Sequence, residues 1–192
     1  MYELPTSIII AGESWKVRND GDFRTILDCF AVLEDNELNT MEKVIASLFI
    51  FLDGMEDVDD IQRIPDLEEA YKEMVKFFNC GQEEYPGTKH YKLIDWEQDA
   101  PLIISAVNKV AGKEVRAEKY VHWWTFMGYY VAIGECPLSN IVGIRYKKLT
   151  NKKLEKHERK FIQDNPQYFY HDNRTQEEKD FEEELRRQWN GG

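Results

Sequence analysis

The residues from Asp95 to Leu149 constrain the fold of this chain more than any other part of it. They hold two dense apolar helical patterns and a shorter third, and their centre, Tyr120–Ile133, carries His122-Trp123-Trp124, Phe126 and Tyr129-Tyr130. In an acidic, water-soluble chain that many aromatic side chains must lie in a core or against a partner. The rest of the sequence has to supply the elements that cover them.

A length of 192 residues suits one domain, or one domain with an appendage. Hydrophobic residues make up 42% and aromatics 13%, enough for a packed interior. The net charge of −11 argues against a general nucleic-acid binder, because phosphate neutralisation needs a surplus of Lys and Arg. It favours solubility and a partner with a basic or apolar surface. The opening Met1-Tyr2-Glu3-Leu4-Pro5 lacks the basic start of a signal peptide, and no apolar run approaches the roughly 20 residues that span a bilayer. Cys29, Cys80 and Cys136 are odd in number and widely spaced, so they are expected as reduced, small apolar residues in a cytoplasmic protein with no membrane association.

The pattern along the chain predicts a mainly α fold: a compact bundle of about six helices, a short N-terminal β-hairpin and a C-terminal helical extension. The hairpin is Ser7–Val17, turning at Gly12-Glu13. Gly21-Asp22 opens a first helix with Phe23, Ile26, Leu27, Phe30 and Leu33 at helical spacing. Asn39 and Glu42 form a capping box for a second, striped by Met41, Val44, Ile45, Leu48 and Leu52 and ended by Asp53-Gly54. An acidic, solvated loop, Glu56–Asp60, follows. Pro65 is placed in the first turn of a third helix that stops at Asn79-Cys80-Gly81. After a turn at Pro86-Gly87, Asp95 with Gln98 caps a fourth helix, which closes at Ala111-Gly112. The fifth, about 117–133, is apolar nearly all round and is expected to be central and buried, with another helix passing close to Gly128. Pro137 starts the sixth, through Ile141, Ile144 and Leu149.

These boundaries give a domain of residues 1–149 and a charged extension of residues 150–192. The extension is basic over 150–163, broken at Asn165-Pro166, and aromatic and irregular over Pro166–Arg174. It then becomes helical again from Thr175, with Glu178 at capping-box spacing, to Trp189. Phe181, Leu185 and Trp189 recur every four residues on that last helix and form a narrow apolar stripe. Such a helix is weak alone and suits docking, on its own chain or on another protein.

Two blocks of sequence carry a family resemblance. Asp95-x-x-Gln98-Asp99-Ala100, Ile103, His122-Trp123-Trp124-x-Phe126 and Ile144-Arg145 form one; Trp15-Lys16-Val17-x-x-x-Gly21-Asp22-Phe23-Arg24 forms the other. Together they resemble a family of small proteins of long-tailed bacteriophages, over roughly Leu4 to Tyr146. Members are encoded between the tail-tube and tape-measure genes and are taken to act like tail-assembly chaperones. The resemblance implies a partner, the phage tape-measure protein, and a second in the product of the preceding tail-assembly gene. It implies work in the host cytoplasm by shielding apolar helices of the tape measure.

No enzyme signature competes with that reading. His122 could act as a general base oriented by Asp99 or Glu97, but no nucleophile motif or oxyanion device accompanies it, and a core histidine is the simpler expectation. His90, His122, His157 and His171 have no metal-ligand spacing, and the acidic loop lacks the glycine and terminal glutamate of a calcium-binding loop. Phosphate-loop, dinucleotide and serine-hydrolase signatures are absent from the sequence. The sequence therefore points to a non-enzymatic protein with no cofactor and no metal. Its partner-binding residues are expected among the exposed aromatics of the extension, Tyr168, Phe169, Phe181 and Trp189, with Leu185; one of Trp123 and Trp124 at least should be core. The basic segment 145–160 is expected to face solvent or acidic residues rather than nucleic acid. A structural part of the tail, such as a tube or connector protein, is the alternative, and self-association stays open.

Overall fold

The computed structural model describes residues 3–83, 87, 89 and 91–169. The chain divides into one unit ending at Leu154 and a second beginning at Glu155. The architecture is mainly helical with one N-terminal hairpin, as the sequence pattern requires.

In the first unit the hairpin pairs β1 (Ser7–Ile10) with β2 (Glu13–Lys16), Ile8 opposite Trp15 and Ile10 opposite Glu13. Its turn is Ala11-Gly12, one residue earlier than the pattern placed it, and both residues have positive φ (49° and 82°). That is the twist a two-residue hairpin turn needs. Alternation decides which side is buried: Ile8 and Ile10 face the core while Ser7 and Ile9 face water. Two strands alone are marginal. This pair is held by helix packing on β1 and by the Ala11 N–H, which donates to the Glu69 carboxylate (2.9 Å).

Six helices follow: α1 (Phe23–Glu34), α2 (Thr40–Phe51), α3 (Leu67–Phe78), α4 (Ala100–Ala111), α5 (Trp123–Val131) and α6 (Pro137–Leu149). α1 packs on α2 and α5, α2 on α3, and α4 on α5 and α6, while β1 lies on α3. The core runs through Ile10, Phe23, Ile26, Leu48, Phe51, Met74, Ile103, Trp123 and Phe126. Phe23 stacks on Phe126 with ring centroids 4.6 Å apart, and Phe51 meets Phe77 edge-on at 5.3 Å, so the predicted aromatic concentration does form the centre.

Most helix ends follow the capping residues. Asp22 accepts from Arg24 N, Asn39 and Glu42 close a capping box, and Gly112 ends α4 at φ 69°. Pro65 lies before Asp66, the true N-cap of α3, so it marks the approach to the helix rather than its first turn. Asp95 caps a separate turn, accepting from Gln98 N (2.8 Å), and α4 begins only after Asp99 with Pro101 in its first turn. The acidic loop is ordered into a 3-10 turn, Val58–Arg63, because Asp57 and Asp60 accept N–H groups at its start.

The fifth helix departs most from expectation. It begins at Trp123, not near residue 117, and only Trp123 and Phe126 are buried within it; Val131 is 77% exposed. An all-apolar sequence here does not mean an all-buried helix. Gly128 is exposed, and no described residue lies within 4 Å of where a Cβ would stand, so no described helix approaches it.

In the second unit, α7 (Lys156–Asp164) starts with the Glu158 carboxylate accepting the Glu155 N–H (2.8 Å). A 3-10 turn, Pro166–Tyr168, follows, and Phe169 meets the Phe161 ring edge-on at 6.0 Å.

Candidate docking surface and the polar ties behind it

The chemistry-bearing residues of the two sequence blocks are engaged in three ties that hold loops to helices. The first starts at Gly21-Asp22. Gly21 has φ 76°, and a Cβ there would stand 2.7 Å from the Phe77 ring and 3.1 Å from His122 Nε2. Only glycine fits both demands. Asp22, 5% exposed, then accepts from Arg24 N (3.0 Å), the Arg24 guanidinium (2.9 Å) and Val121 N (2.9 Å). Arg24 turns its other nitrogen onto the carbonyls of Glu118 (2.7 Å) and Arg116 (3.1 Å) and lies over the Phe23 ring. These bonds hold residues 118–121, which follow a 3-10 turn at Val115–Ala117, out of helical conformation, which is why α5 cannot start earlier.

The second tie is His122. Its Nδ1 accepts the Trp124 N–H (3.0 Å), capping α5. That assigns the remaining proton to Nε2, which donates to the Pro5 carbonyl (2.9 Å). The ring is 1% exposed, and burial holds its pKa below the ordinary histidine value, against the opposing pull of the Pro5 carbonyl and Asp22. Both nitrogens are committed, so the general-base reading has no free lone pair to use. The proposed orienting residue Asp99 is bonded elsewhere.

Asp99 belongs to the third tie, a fully buried pair with Arg145. Its carboxylate takes two guanidinium nitrogens, one at 2.9 Å, and the Asp95 N–H (3.0 Å), while Arg145 also donates to the Leu93 carbonyl (2.9 Å). The 93–99 segment is thereby fastened to α6. Alongside these ties the two tryptophans cap the end of α3: Trp123 Nε1 donates to Phe78 O and Trp124 Nε1 to Phe77 O, both at 2.9 Å. Trp123 is core and Trp124 half-buried, as the sequence required of at least one of them.

Sequence reasoning missed Arg18. It donates to the carbonyls of Phe49, Ile50 and Met55 (3.0, 3.0 and 2.8 Å) and so closes the end of α2. Its one visible signal was position, a cation just after a hairpin in a chain whose second helix lacks a basic last turn.

Of the expected docking residues, Phe169 is buried rather than exposed, because its ring turns onto Phe161. Tyr168 is half-buried. Phe181, Leu185, Trp189 and the Thr175–Trp189 helix lie outside the described residues. The large apolar side chains the structure does expose include Ile9, Met41, Val58, Val131, Tyr146 and Leu149. Among the described residues no group of three or more His, Cys, Asp or Glu is placed to hold a metal ion, and no helix is long and apolar enough to cross a membrane. The three cysteines are free: Cys29 is buried, Cys80 and Cys136 half-buried.

The family described as bacteriophage Gp15 protein matches residues 1–170. The chain belongs to that family. Neither a curated protein nor a solved structure is similar enough to count as a match. Membership in this phage family points to a structural or assembly protein. It also covers all three ties, so the family-like sequence blocks are accounted for by architecture.

Proposed function

We propose that this phage-family protein is a non-enzymatic tail-assembly factor that shields the tape-measure protein while the tail is built. The observation that carries the reading is the use of Asp22, Arg24, Asp99, His122 and Arg145. The residues best suited to chemistry are committed to holding a rigid helical scaffold. What such a scaffold offers is surface: exposed apolar side chains on helices, in a chain of net charge −11 that keeps a complex in solution. A long helical partner with apolar stripes would gain most from that surface before the tail tube encloses it.

The test is co-expression with the tape-measure gene encoded nearby. The tape measure is expected to become soluble and to co-purify with this protein, and purified virions are expected to lack it. An insoluble tape measure, together with a fixed copy number of this protein in virions, would instead make it a structural part of the tail.

A further inference from the structure

α1 and α2 form an antiparallel pair whose connection, 35–39, makes a tip. The Cys29 thiol on the Ser47 carbonyl (3.6 Å) sets their register, so almost one turn further along α1 Val32 comes beside the start of α2, where Leu38 and Met41 close the tip. Val32 and Leu38 are half-buried and Met41 is 60% exposed, yet none of the three belongs to the core or packs against it. The tip is ordered by its own polar groups. Asp35 accepts the Glu37 N–H (2.8 Å), Glu42 the Asn39 N–H (2.8 Å) and Asn39 the Met41 N–H (2.9 Å). Met41 therefore stands on a capped helix start, and what it lacks is a neighbour, not order. Its unbranched thioether is the side chain best able to adapt to an apolar visitor.

Charge identifies the visitor. Between Thr25 and Ile45 the chain carries five carboxylates and one cation, the half-buried Lys43. Glu34 is paired with Lys92 (3.2 Å). Asp28, Asp35, Glu37 and Glu42 are exposed, and among the described residues no cation pairs with them. The N–H groups on Asp35 and Glu42 orient those carboxylates without neutralising them. Asp28, Val32 and Asp35 share one side of α1 at i, i+4 and i+7, which sets the apolar contact inside an acidic rim. We infer that the tip of the α1–α2 pair docks a basic amphipathic helix of a partner protein, its apolar stripe on Leu38 and Met41 and its cations on Asp35, Glu37 and Glu42. This deepens the shielding role above and rests on it, by naming the chemistry of the helix that is covered.

The experiment uses the full chain and two fluorescein-labelled 20-residue helical peptides. Both are Lys-rich; one carries Leu at i, i+3, i+4 and i+7, the other Gln. The Leu-striped peptide is expected to bind at least tenfold tighter. Its binding should weaken tenfold or more in Met41→Ser, and likewise in the triple variant Asp35→Asn, Glu37→Gln, Glu42→Gln, whose amide oxygens can keep the capping bonds. Glu3→Gln, Glu13→Gln and Glu56→Gln together remove the same charge outside this helix pair, so they separate the tip from the field of the whole molecule and should weaken binding less than twofold. All these variants should melt near the wild-type temperature. Equal binding of the two peptides, equal losses in the two triple variants, or indifference to Met41→Ser overturns the inference. So does a dimer that Met41→Ser converts to monomer, which would assign the tip to a second copy. Leu-striped binding that emerges only after Arg186→Glu and Arg187→Glu overturns it too, assigning the tip to a segment of the same chain. Co-expression separates the tip from the wider reading. If Met41→Ser still solubilises the tape measure, the tip is wrong and the shielding role stands. If the wild type never solubilises it while the Leu-striped peptide binds as required, the shielding role is wrong and the tip stands.

Discussion

Two aspartate–arginine ties hold this molecule together, and they differ in kind. Asp22 and Arg24 are two residues apart, at the start of α1, and the Arg24 side chain is 40% exposed. Asp99 and Arg145 are 46 residues apart, 0% and 5% exposed. The first is a local cap whose arginine reaches out to collect loop carbonyls from a solvated position. The second is a buried ion pair whose partners cannot be rehydrated without opening the α4–α6 packing. The contrast teaches that the same residue pair can be a hinge of local structure in one place and an all-or-none lock in another, with burial deciding which.

Breaking the lock should have the largest effect. Arg145→Met leaves Asp99 as an uncompensated buried charge, and a loss of about 3–5 kcal/mol in urea-unfolding stability is expected. Adding Asp99→Leu should restore much of that loss, since apolar replacement of both partners removes the orphaned charge; a double mutant no better than Arg145→Met would show that the bonds to Leu93 and Asp95 matter more than the pair. Asp22→Ala removes the α1 cap and the acceptor for Val121 N, and about 2 kcal/mol is expected, less than for the lock because Arg24 can return to water.

His122→Ala should lose about 1–2 kcal/mol through the missing cap on α5, read from thermal or urea melts. The wild-type histidine also makes stability depend on pH. Its folded pKa is depressed, so the unfolded chain binds the extra proton more readily. Its contribution is therefore complete above about pH 6.5, the unfolded value, and is lost as pH falls through the folded value. In His122→Ala that part of the pH slope should vanish; an unchanged slope would place the titration elsewhere. The smallest effect is a gain. Gly128→Ala on the open face of α5 should stabilise by about 0.5–1 kcal/mol, because helix propensity improves and nothing is displaced.

The local tie was legible in the sequence and the distant one was not. Gly21-Asp22 reads as a helix start because the cap and the N–H it accepts lie within two residues; the Arg24 guanidinium on the same carboxylate is added by the structure. Asp99 and Arg145 could each be noticed, but no periodicity links residues 46 apart. The same limit explains α5. Its residues favour a helix from about Ala117, but Ala117 closes a 3-10 turn and tertiary bonds from Asp22 and Arg24 keep residues 118–121 out of the helix. Apolar spacing also overstated its burial: Val131 is left exposed among the described residues.

The bond between the Pro5 carbonyl and His122 spans 117 residues. It joins the segment just before β1 to the start of the fifth helix, and the tryptophan caps bring α3 the same late partners. During synthesis the hairpin and α1–α3 therefore leave the ribosome with their aromatic centre open, and it closes only when Trp123, Phe126 and then Arg145 arrive. A nascent chain in that state exposes the kind of surface it is proposed to cover on another protein, and its folding should be slow for a helical domain, as its non-local contacts demand.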